Sequence, residues 1–418
     1  MHSHAQTIHK CYTSEMEKEN EQRYPEWEKQ RHAFEQEIQH RIRTQRLSSK
    51  TTYNVITIPV VVHVLHNNID GSISGENIPD QQIIDQIKVL NEDYRRTNID
   101  ASNTPLIYQN IASDIEIQFC LANRDPLGNM SNGINRVYNK ATRFIYPDND
   151  AFLKSLSYWP SDQYLNIWVC DLANKTQTQT ILGYAQFPSS SSLVGLNTNE
   201  GDATTDGVVI NYRVFGKNAS TGGNYDLGRT TTHEVGHWLG LIHTWGDGDC
   251  SATDYCNDTP SCNGEIYTSS PACNSLIQCT NRRMIENYMD YSDDGCMNLF
   301  TADQKTRMRT ALDVSPRRLA IQSSKGCCDT CEFIFDTDVL VYPIPSNQYV
   351  TIKTTFAIAS SVQFYVYSVN GKLMLEDNTT PTQKYERMID VRNWAQGVYI
   401  IKIITDKQAY ERKVLIIE

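Results

Sequence analysis

The sequence predicts an α/β domain built on a twisted mixed sheet, followed by a small all-β sandwich. Three observations predict it. Strand-like alternation and helical periodicity interleave between Tyr53 and Leu312. One helix-length stretch inside that region carries three histidines. From Val339 onward only short strand patterns remain, separated by turn residues. These changes of pattern divide the chain into a charged arm over residues 1–52, a main domain over 53–325, a linker over 326–338 and a sandwich over 339–418.

In chain order, Glu15 to Arg46 is strongly charged with few large apolar residues. It reads as a loosely packed helix, with Pro25 as a break or first-turn residue. Such a segment cannot form a core alone, which suits a pro-segment or a linker arm. Tyr53–Asn67 reads as a long strand. Pro79–Arg96 reads as an amphipathic helix, because Ile83, Ile84, Ile87, Leu90 and Tyr94 recur at helical spacing. Ile115–Leu121 and Tyr164–Leu172 alternate as strands, Leu182–Phe187 is a short strand and Asp206–Val214 another. Helices follow at Leu227–Ile242 and at Ala302–Leu312, the latter with Thr301 as N-cap. Near Gly326 the character changes, and Cys327-Cys328-Asp329-Thr330-Cys331 marks a junction. Seven short strands then fit within residues 339–417, with Asn370-Gly371 as a hairpin turn. That number of strands in so short a stretch predicts an Ig-like sandwich.

A chain of 418 residues exceeds one ordinary domain. Its net charge of -11 argues against a nucleic-acid-binding surface. No run of apolar residues is long enough for a membrane span, and Val55–Leu65 is too short. Six of the twelve cysteines crowd between Cys250 and Cys296. Their spacing does not match a zinc ribbon, so in an exported protein they form a disulfide framework. The first residues lack the apolar core of a signal peptide. The expectation is that a signal has been removed, the alternative being a cytosolic chain.

The chemistry lies in His233-Glu234-Val235-Gly236-His237-Trp238-Leu239-Gly240-Leu241-Ile242-His243. His233 and His237 are four apart, so a helix puts both imidazoles on one face. Glu234 lies where a carboxylate can take a proton from an attacking water. Gly240 lets the chain leave the helix in a left-handed conformation, and that turn brings back His243 as a third nitrogen. Three protein ligands leave a tetrahedral Zn²⁺ with one open position, as in a catalytic site. Two satisfied helix histidines would account for His233 and His237 alone, but not for Gly240 and His243 at these offsets. The pattern is the metzincin signature, which implies a zincin-like α/β (α+β) domain carrying a zinc helix. A methionine turn is then needed downstream. Asn287-Tyr288-Met289-Asp290-Tyr291 fits, with Met289 as an apolar floor and Tyr291 as a hydrogen-bond donor to the oxyanion.

This motif is followed by Thr244, a loop rich in cysteine and aspartate, and Asn287-Tyr288-Met289-Asp290-Tyr291-Ser292-Asp293-Asp294. Together they resemble the pappalysin family, over roughly Tyr53 to Leu312. The resemblance implies a secreted metalloendopeptidase with catalytic Zn²⁺ and structural Ca²⁺. It implies His233, His237 and His243 as zinc ligands, Glu234 as general base and Tyr291 near the metal. It places calcium in Asp254-Tyr255-Cys256-Asn257-Asp258-Thr259-Pro260, with Asp254, Thr259 and carbonyls near Cys256 as ligands. The acidic ligand usual after the Thr-Pro pair is Cys262 here. Read without the resemblance, Asp247, Asp249, Asp254 and Asp258 are a solvated acidic loop. Two disulfides are implied, Cys250–Cys279 and Cys273–Cys296; Cys256 and Cys262 are extra, and a bond between them is one option.

The resemblance also gives Cys11 a role, beside Lys10 and before Tyr12-Thr13. It would be a cysteine switch, with a thiolate filling the open zinc position. The bland reading is an unpaired cysteine in a loose terminus. Activation then needs cleavage between Arg43 and Thr52, with Arg43, Arg46 and Lys50 as candidate points. The last residues resemble a second family, the C-terminal sorting domain of type IX secretion in Bacteroidetes. Val341-Tyr342-Pro343-Ile344-Pro345-Ser346-Asn347, Asn370-Gly371-Lys372 and Gly397-Val398-Tyr399 carry that likeness, with Ile344 in place of the usual Asn. The strands alone equally suit a carbohydrate- or partner-binding sandwich.

The function expected is a secreted or surface zinc endopeptidase, made as a zymogen. Its partners are protein or peptide substrates and the type IX machinery, with no nucleic acid and no membrane span. The edge strand at Gly183 and Tyr184 pairs with an extended substrate. Asp293 and Asp294 line the pocket after the cleaved bond and favour Arg or Lys, the alternative being capping or calcium-associated groups. The rival is a metal-stabilised surface adhesion protein without turnover, against which an intact Glu234 argues.

Overall fold

A computed structural model describes residues 7–24, 26–47, 54–141, 143–189, 203–217, 224–266, 273–327, 340–342, 346–380, 382–405 and 409–417. Pro25, Lys50 and the Pro343-Ile344-Pro345 run lie outside these. The chain divides into two compact units, Met1–Cys328 and Asp329–Glu418.

The first unit begins with β1 (Thr7–His9), α1 (Thr13–Arg23) and α2 (Trp27–Leu47). Next come β2 (Ile56–His66), α3 (Asp80–Tyr94), the short α4 (Leu106–Gln109), β3 (Ile117–Leu121), β4 (Ile134–Tyr138), β5 (Phe144–Tyr146) and the short α5 (Asp150–Ser155). Then follow β6 (Leu165–Cys170), β7 (Leu172–Asn174), β8 (Gln179–Ile181), β9 (Gly183–Ala185), β10 (Gly207–Asn211) and α6 (Arg229–Trp238). A small hairpin, β11 (Ile277–Gln278) with β12 (Asn281–Arg282), precedes α7 (Ala302–Val314) and α8 (Pro316–Ile321).

The main sheet has the order β3-β2-β6-β10-β9, with β4 also paired to β2. All its pairings are parallel except β10 with β9. Strands of a parallel sheet are covered on both faces, so they read as continuous apolar runs. Accordingly β2 is buried from Ile58 to His66. The core beneath joins Val60, Val62 and Val64 to Ile83, Ile87 and Leu90 of α3 and to Val235 and Trp238 of α6. Each such side chain contributes roughly 1.5–3 kcal/mol.

The single strand expected at Tyr164–Leu172 is two, because the chain changes sheets at Asp171. There Arg143 and Arg213 both donate to its carboxylate. The second sheet runs β1-β8-β7-β5.

The charged arm is packed more firmly than its composition suggests. Phe34, Ile38 and Ile42 of α2 are buried against Ala311 of α7. Buried Arg307 of α7 donates to both oxygens of Glu35, at 2.7 and 2.6 Å. These few apolar residues all fall on one face, which a residue count does not show. Arg43 and Arg46, two of the candidate cleavage points, lie inside α2.

In the second unit the strands are β13 (Leu340–Tyr342), β14 (Tyr349–Ser360), β15 (Val362–Ser368), β16 (Leu373–Asn378), β17 (Thr382–Asp390), β18 (Gly397–Thr405) and β19 (Ala409–Ile416). They form sheets β13-β14-β17 and β16-β15-β18-β19. One core joins them, with Val350, Ile352 and Ile389 from the first and Phe364, Ile401 and Val414 from the second.

Candidate active site

Every residue of α6 is buried. Its first turn is set by Gly228 at φ +79 and by Asp294, which accepts from the backbone N–H groups of Leu227 and Arg229 at 3.0 and 3.1 Å. A carboxylate there also complements the helix dipole. At the other end Gly240 sits at φ +94, the Gly240 N–H bonds His237 O, and the Leu241 N–H bonds Gly236 O. This pair of bonds is a Schellman stop. Arg307 donates to the Gly240 carbonyl at 2.8 Å and fixes the bend from outside. The helix is therefore shorter than Leu227–Ile242, and His243 lies on the returning strand of chain.

The three imidazoles converge. Their Nε2 atoms are 3.1–3.2 Å apart in every pair. Each Nδ1 has its own oxygen: Tyr288 O at 2.7 Å for His233, Leu241 O at 2.8 Å for His237 and Asp247 Oδ1 at 2.6 Å for His243. An Nδ1–H that donates outward leaves a bare Nε2 lone pair facing inward. Burial, then the neighbouring rings, holds His233 well below its usual range and His237 down to about 3. Three uncharged lone pairs crowded at this distance repel unless a cation sits among them. Tetrahedral Zn–N bonds of about 2.0–2.1 Å separate ligand nitrogens by about 3.3 Å, so the triangle fits Zn²⁺. Cys11 Sγ completes the set, and all four ligand atoms lie within 4.8 Å of one another.

Around this set, Met289 lies directly under α6, where a Cβ on Gly236 would stand 2.5 Å from its sulfur. Glu234 is fully buried. Its Oε2 accepts from Thr13 Oγ1 at 3.0 Å and from Cys11 Sγ at 3.5 Å, while Oε1 has no hydrogen-bond partner among the described residues. Burial pushes its pKa up to about 8, against those hydrogen bonds and the Lys10 charge. Tyr291 donates to the Cys11 carbonyl at 3.0 Å. Lys10 is buried beside Asp294, Asp290 and Asp293, and its Nζ donates to the carbonyls of Asp290 and Ser292.

A model of the peptidase family described as pregnancy-associated plasma protein-A matches residues 149–313, and one of a secretion system C-terminal sorting domain matches 340–418. An extracellular metalloprotease of Colletotrichum graminicola is 31% identical over 257 residues, covering 61% of this chain and 76% of that protein. Mature mirolysin of Tannerella forsythia, solved with a cleaved peptide, is 43% identical with TM-score 0.56, covering 65% of this chain and 97% of that one. The chain belongs to the pappalysin family. A point mutant of Tannerella forsythia promirolysin is also similar, at 38% identity and TM-score 0.62, covering 75% of this chain and 96% of that one. This pappalysin is a zinc metalloendopeptidase made as a zymogen, and its type IX sorting tail and extracellular relatives place it in the secreted or cell-surface class.

In this pappalysin the segment Lys10–Ser14 crosses the site along β9. The Tyr12 N–H bonds Gly183 O at 2.9 Å, and the Ala185 N–H bonds Thr13 Oγ1 at 3.0 Å. Gly183 therefore lies at the cleft. The Tyr184 side chain alternates to the opposite face, where its hydroxyl donates to Asp150 at 2.6 Å.

Cys250–Cys279 and Cys273–Cys296 are bonded, as is Cys120–Cys327, which spacing could not suggest. The pairing of Cys256 with Cys262 does not occur. Cys262 turns to Thr244 Oγ1 at 3.8 Å, whereas Cys256 sits in the loop around Asp254.

In that loop the Asp254 carboxylate accepts from Thr259 Oγ1 and the Cys256 N–H. The same hydroxyl is 2.7 Å from Cys256 O. Burial raises Asp254 to about 7, against the Thr259 and Cys256 hydrogen bonds and the Arg307 charge. Asp258 caps α7 through Thr301 Oγ1 and the Asp303 N–H instead.

The sequence reading missed Thr13, Ser14 and Trp245. Trp245 stacks on the His243 ring at 4.3 Å and 4°. Its place two residues after a ligand was the only signal.

Proposed function

We propose that this chain is the latent form of a secreted endopeptidase in which Cys11 blocks a zinc ion, and that the released enzyme cleaves before Lys or Arg. The observation that carries the reading is the closed triangle of Nε2 atoms facing the Cys11 sulfur. His233, His237 and His243 would hold the metal in both forms. When bound, Zn²⁺ supplies Lewis acidity and lowers the pKa of water. The chain's own groups do the rest. Glu234 takes the proton of the attacking water and returns it to the leaving amine. Tyr291 donates to the developing oxyanion, much as it now donates to the Cys11 carbonyl. The open edge of β9 offers Gly183 O and the Ala185 N–H to an extended substrate backbone.

Support for a basic preference comes from Lys10, whose ammonium is buried among Asp290, Asp293 and Asp294. Asp294 also caps α6, so the pocket and the capping roles meet in one residue. Asp254, Thr259 and the Cys256 carbonyl are the oxygens proposed for Ca²⁺, a cation that takes oxygen ligands. The tail supports export through the type IX machinery of a Bacteroidetes bacterium.

The test is a time course of the full chain, with mass spectrometry of the fragments, against Glu234→Gln. The wild type is expected to cut itself after α2 and then cut substrates before basic residues, in a chelator-sensitive way. Glu234→Gln is expected to keep zinc and cut nothing. Cleavage by Glu234→Gln, or cleavage indifferent to chelator, contradicts the mechanism. Cys11→Ala should convert faster than wild type, and Cys11→Ala/Thr13→Val faster still, because Thr13 holds Glu234 independently of the thiol.

A further inference from the structure

His233 and His237 are held by the helix that carries them. His243 lies beyond the helix stop and needs support of its own. The chain supplies it within four residues. Trp245 stacks flat on the ring, with ring centroids 4.3 Å apart, and meets Tyr291 edge-on at 4.7 Å. Gly246, at φ +61, turns the chain so tightly that a Cβ there would stand 2.6 Å from the Thr253 nitrogen. That turn returns Asp247, itself at φ +56, over the far side of the imidazole. Its Oδ1 lies 2.6 Å from His243 Nδ1. The other two histidines give their Nδ1 hydrogens to backbone carbonyls, which no substitution removes. Asp247 is thus the one charged group among these partners, and at 2.6 Å it lies nearer His243 Nδ1 than the Ser14 hydroxyl of the arm, at 3.2 Å. Of the four loop aspartates, Asp247 turns its Oδ1 to the imidazole, whereas Asp254 and Asp258 bond within the loop and to α7.

We propose that Asp247 is the positioning residue of the third metal ligand, fixing His243 as its Nδ1–H tautomer with Nε2 toward the metal. The proposal rests on the reading of the three histidines as zinc ligands. Carboxylate partners of this kind orient a ligating imidazole and raise its basicity, and their loss costs about 10- to 100-fold in metal affinity. In the latent chain the same oxygen also accepts the Ser14 hydroxyl at 2.8 Å. The arm therefore reaches the support of the metal site as well as the site itself.

The experiment is zinc affinity by competition with a chromophoric chelator, in the full chain carrying Glu234→Gln so that it stays whole. Asp247→Ala is expected to bind zinc about 10- to 100-fold more weakly. Asp247→Asn keeps an acceptor oxygen without the charge, and is expected to recover most of that loss. Asp249→Asn is the control, since among the described residues the Asp249 carboxylate bonds within its own turn, to Ser251. It should bind as the parent does. Melting temperatures of the metal-free forms are measured alongside. The Asp247 side chain is 29% exposed, so only a small shift is expected there from the loss of its His243 and Ser14 bonds. Equal zinc affinity in Asp247→Ala and parent overturns the proposal. So does a metal-free Asp247→Ala that melts far below the parent, since the loss would then be one of folding. A parent that takes up no stoichiometric zinc sinks the ligand reading itself, a result distinct from both.

Discussion

Gly183 shows how much a single missing Cβ matters here. A Cβ on it would lie 2.8 Å from Glu234 Cγ and 3.2 Å from Oε1. Gly183→Ala is therefore expected to displace the general base without touching the histidines. A misplacement of about 1 Å is enough to cost about 100-fold. Measured on enzyme freed of its arm, kcat should fall by about that much, while zinc content and melting temperature hold. An unchanged kcat shows that Glu234 can move aside freely. At this scale the site was legible where function fixes spacing. His233, Glu234, His237, Gly240, His243, Met289 and Tyr291 lie where the pattern puts them. Thr13, Trp245 and Asp247 were not legible, because they act through distances that span the fold or through a turn whose shape spacing does not encode. The side chain of Tyr184 lies on the other face of β9, at Asp150, a placement that follows from strand alternation.

At the scale of elements, α6 is held from behind as well as from its ends. Asp206 is fully buried and accepts from Trp238 Nε1 at 3.0 Å, from Arg317 at 2.6 Å and from Arg318 at 2.7 Å twice. Arg318 also lies over the Trp238 ring at 3.8 Å. Burial opposes ionisation of this carboxyl, but the two guanidinium groups outweigh it and hold its pKa below the ordinary 3.8. A depressed pKa gives stability that is present above about pH 4 and is lost as pH falls through the folded value. Asp206→Asn should destabilise the first unit by about 3–5 kcal/mol at pH 7, since it leaves two buried cations short of a partner. It should also flatten the acid limb of a melting-temperature profile taken from pH 7 downward. A variant with the wild-type limb shows that other carboxylates set it. Elements with strong periodicity or caps were readable, such as α3 and the Thr301 start of α7, where the box with Gln304 forms. The strand β1 was not, because three residues become a strand only when β8 lies beside them.

For the whole molecule, the Cys120–Cys327 bond ties β3 to the last described residue of the first unit, across 207 positions of sequence. Replacing both cysteines by serine is expected to cost about 2–5 kcal/mol, read as a lower unfolding midpoint of the first unit in denaturant. No change in the midpoint shows that the Gly326 contacts with Pro59 and Tyr164 suffice. This join was unreadable in advance because cysteine spacing says nothing of which distant strands end up adjacent. The arm has a further consequence. Its grip on α7, through Phe34, Ile38, Ile42 and Glu35, is separate from its grip on the metal site, and a cut beyond α2 breaks neither. On the reading proposed above, severance alone would turn a tethered mask into a separate ligand. Activation would then obey mass action: a concentrated sample is expected to stay silent after it has been cut, and dilution or digestion of the released peptide to awaken it.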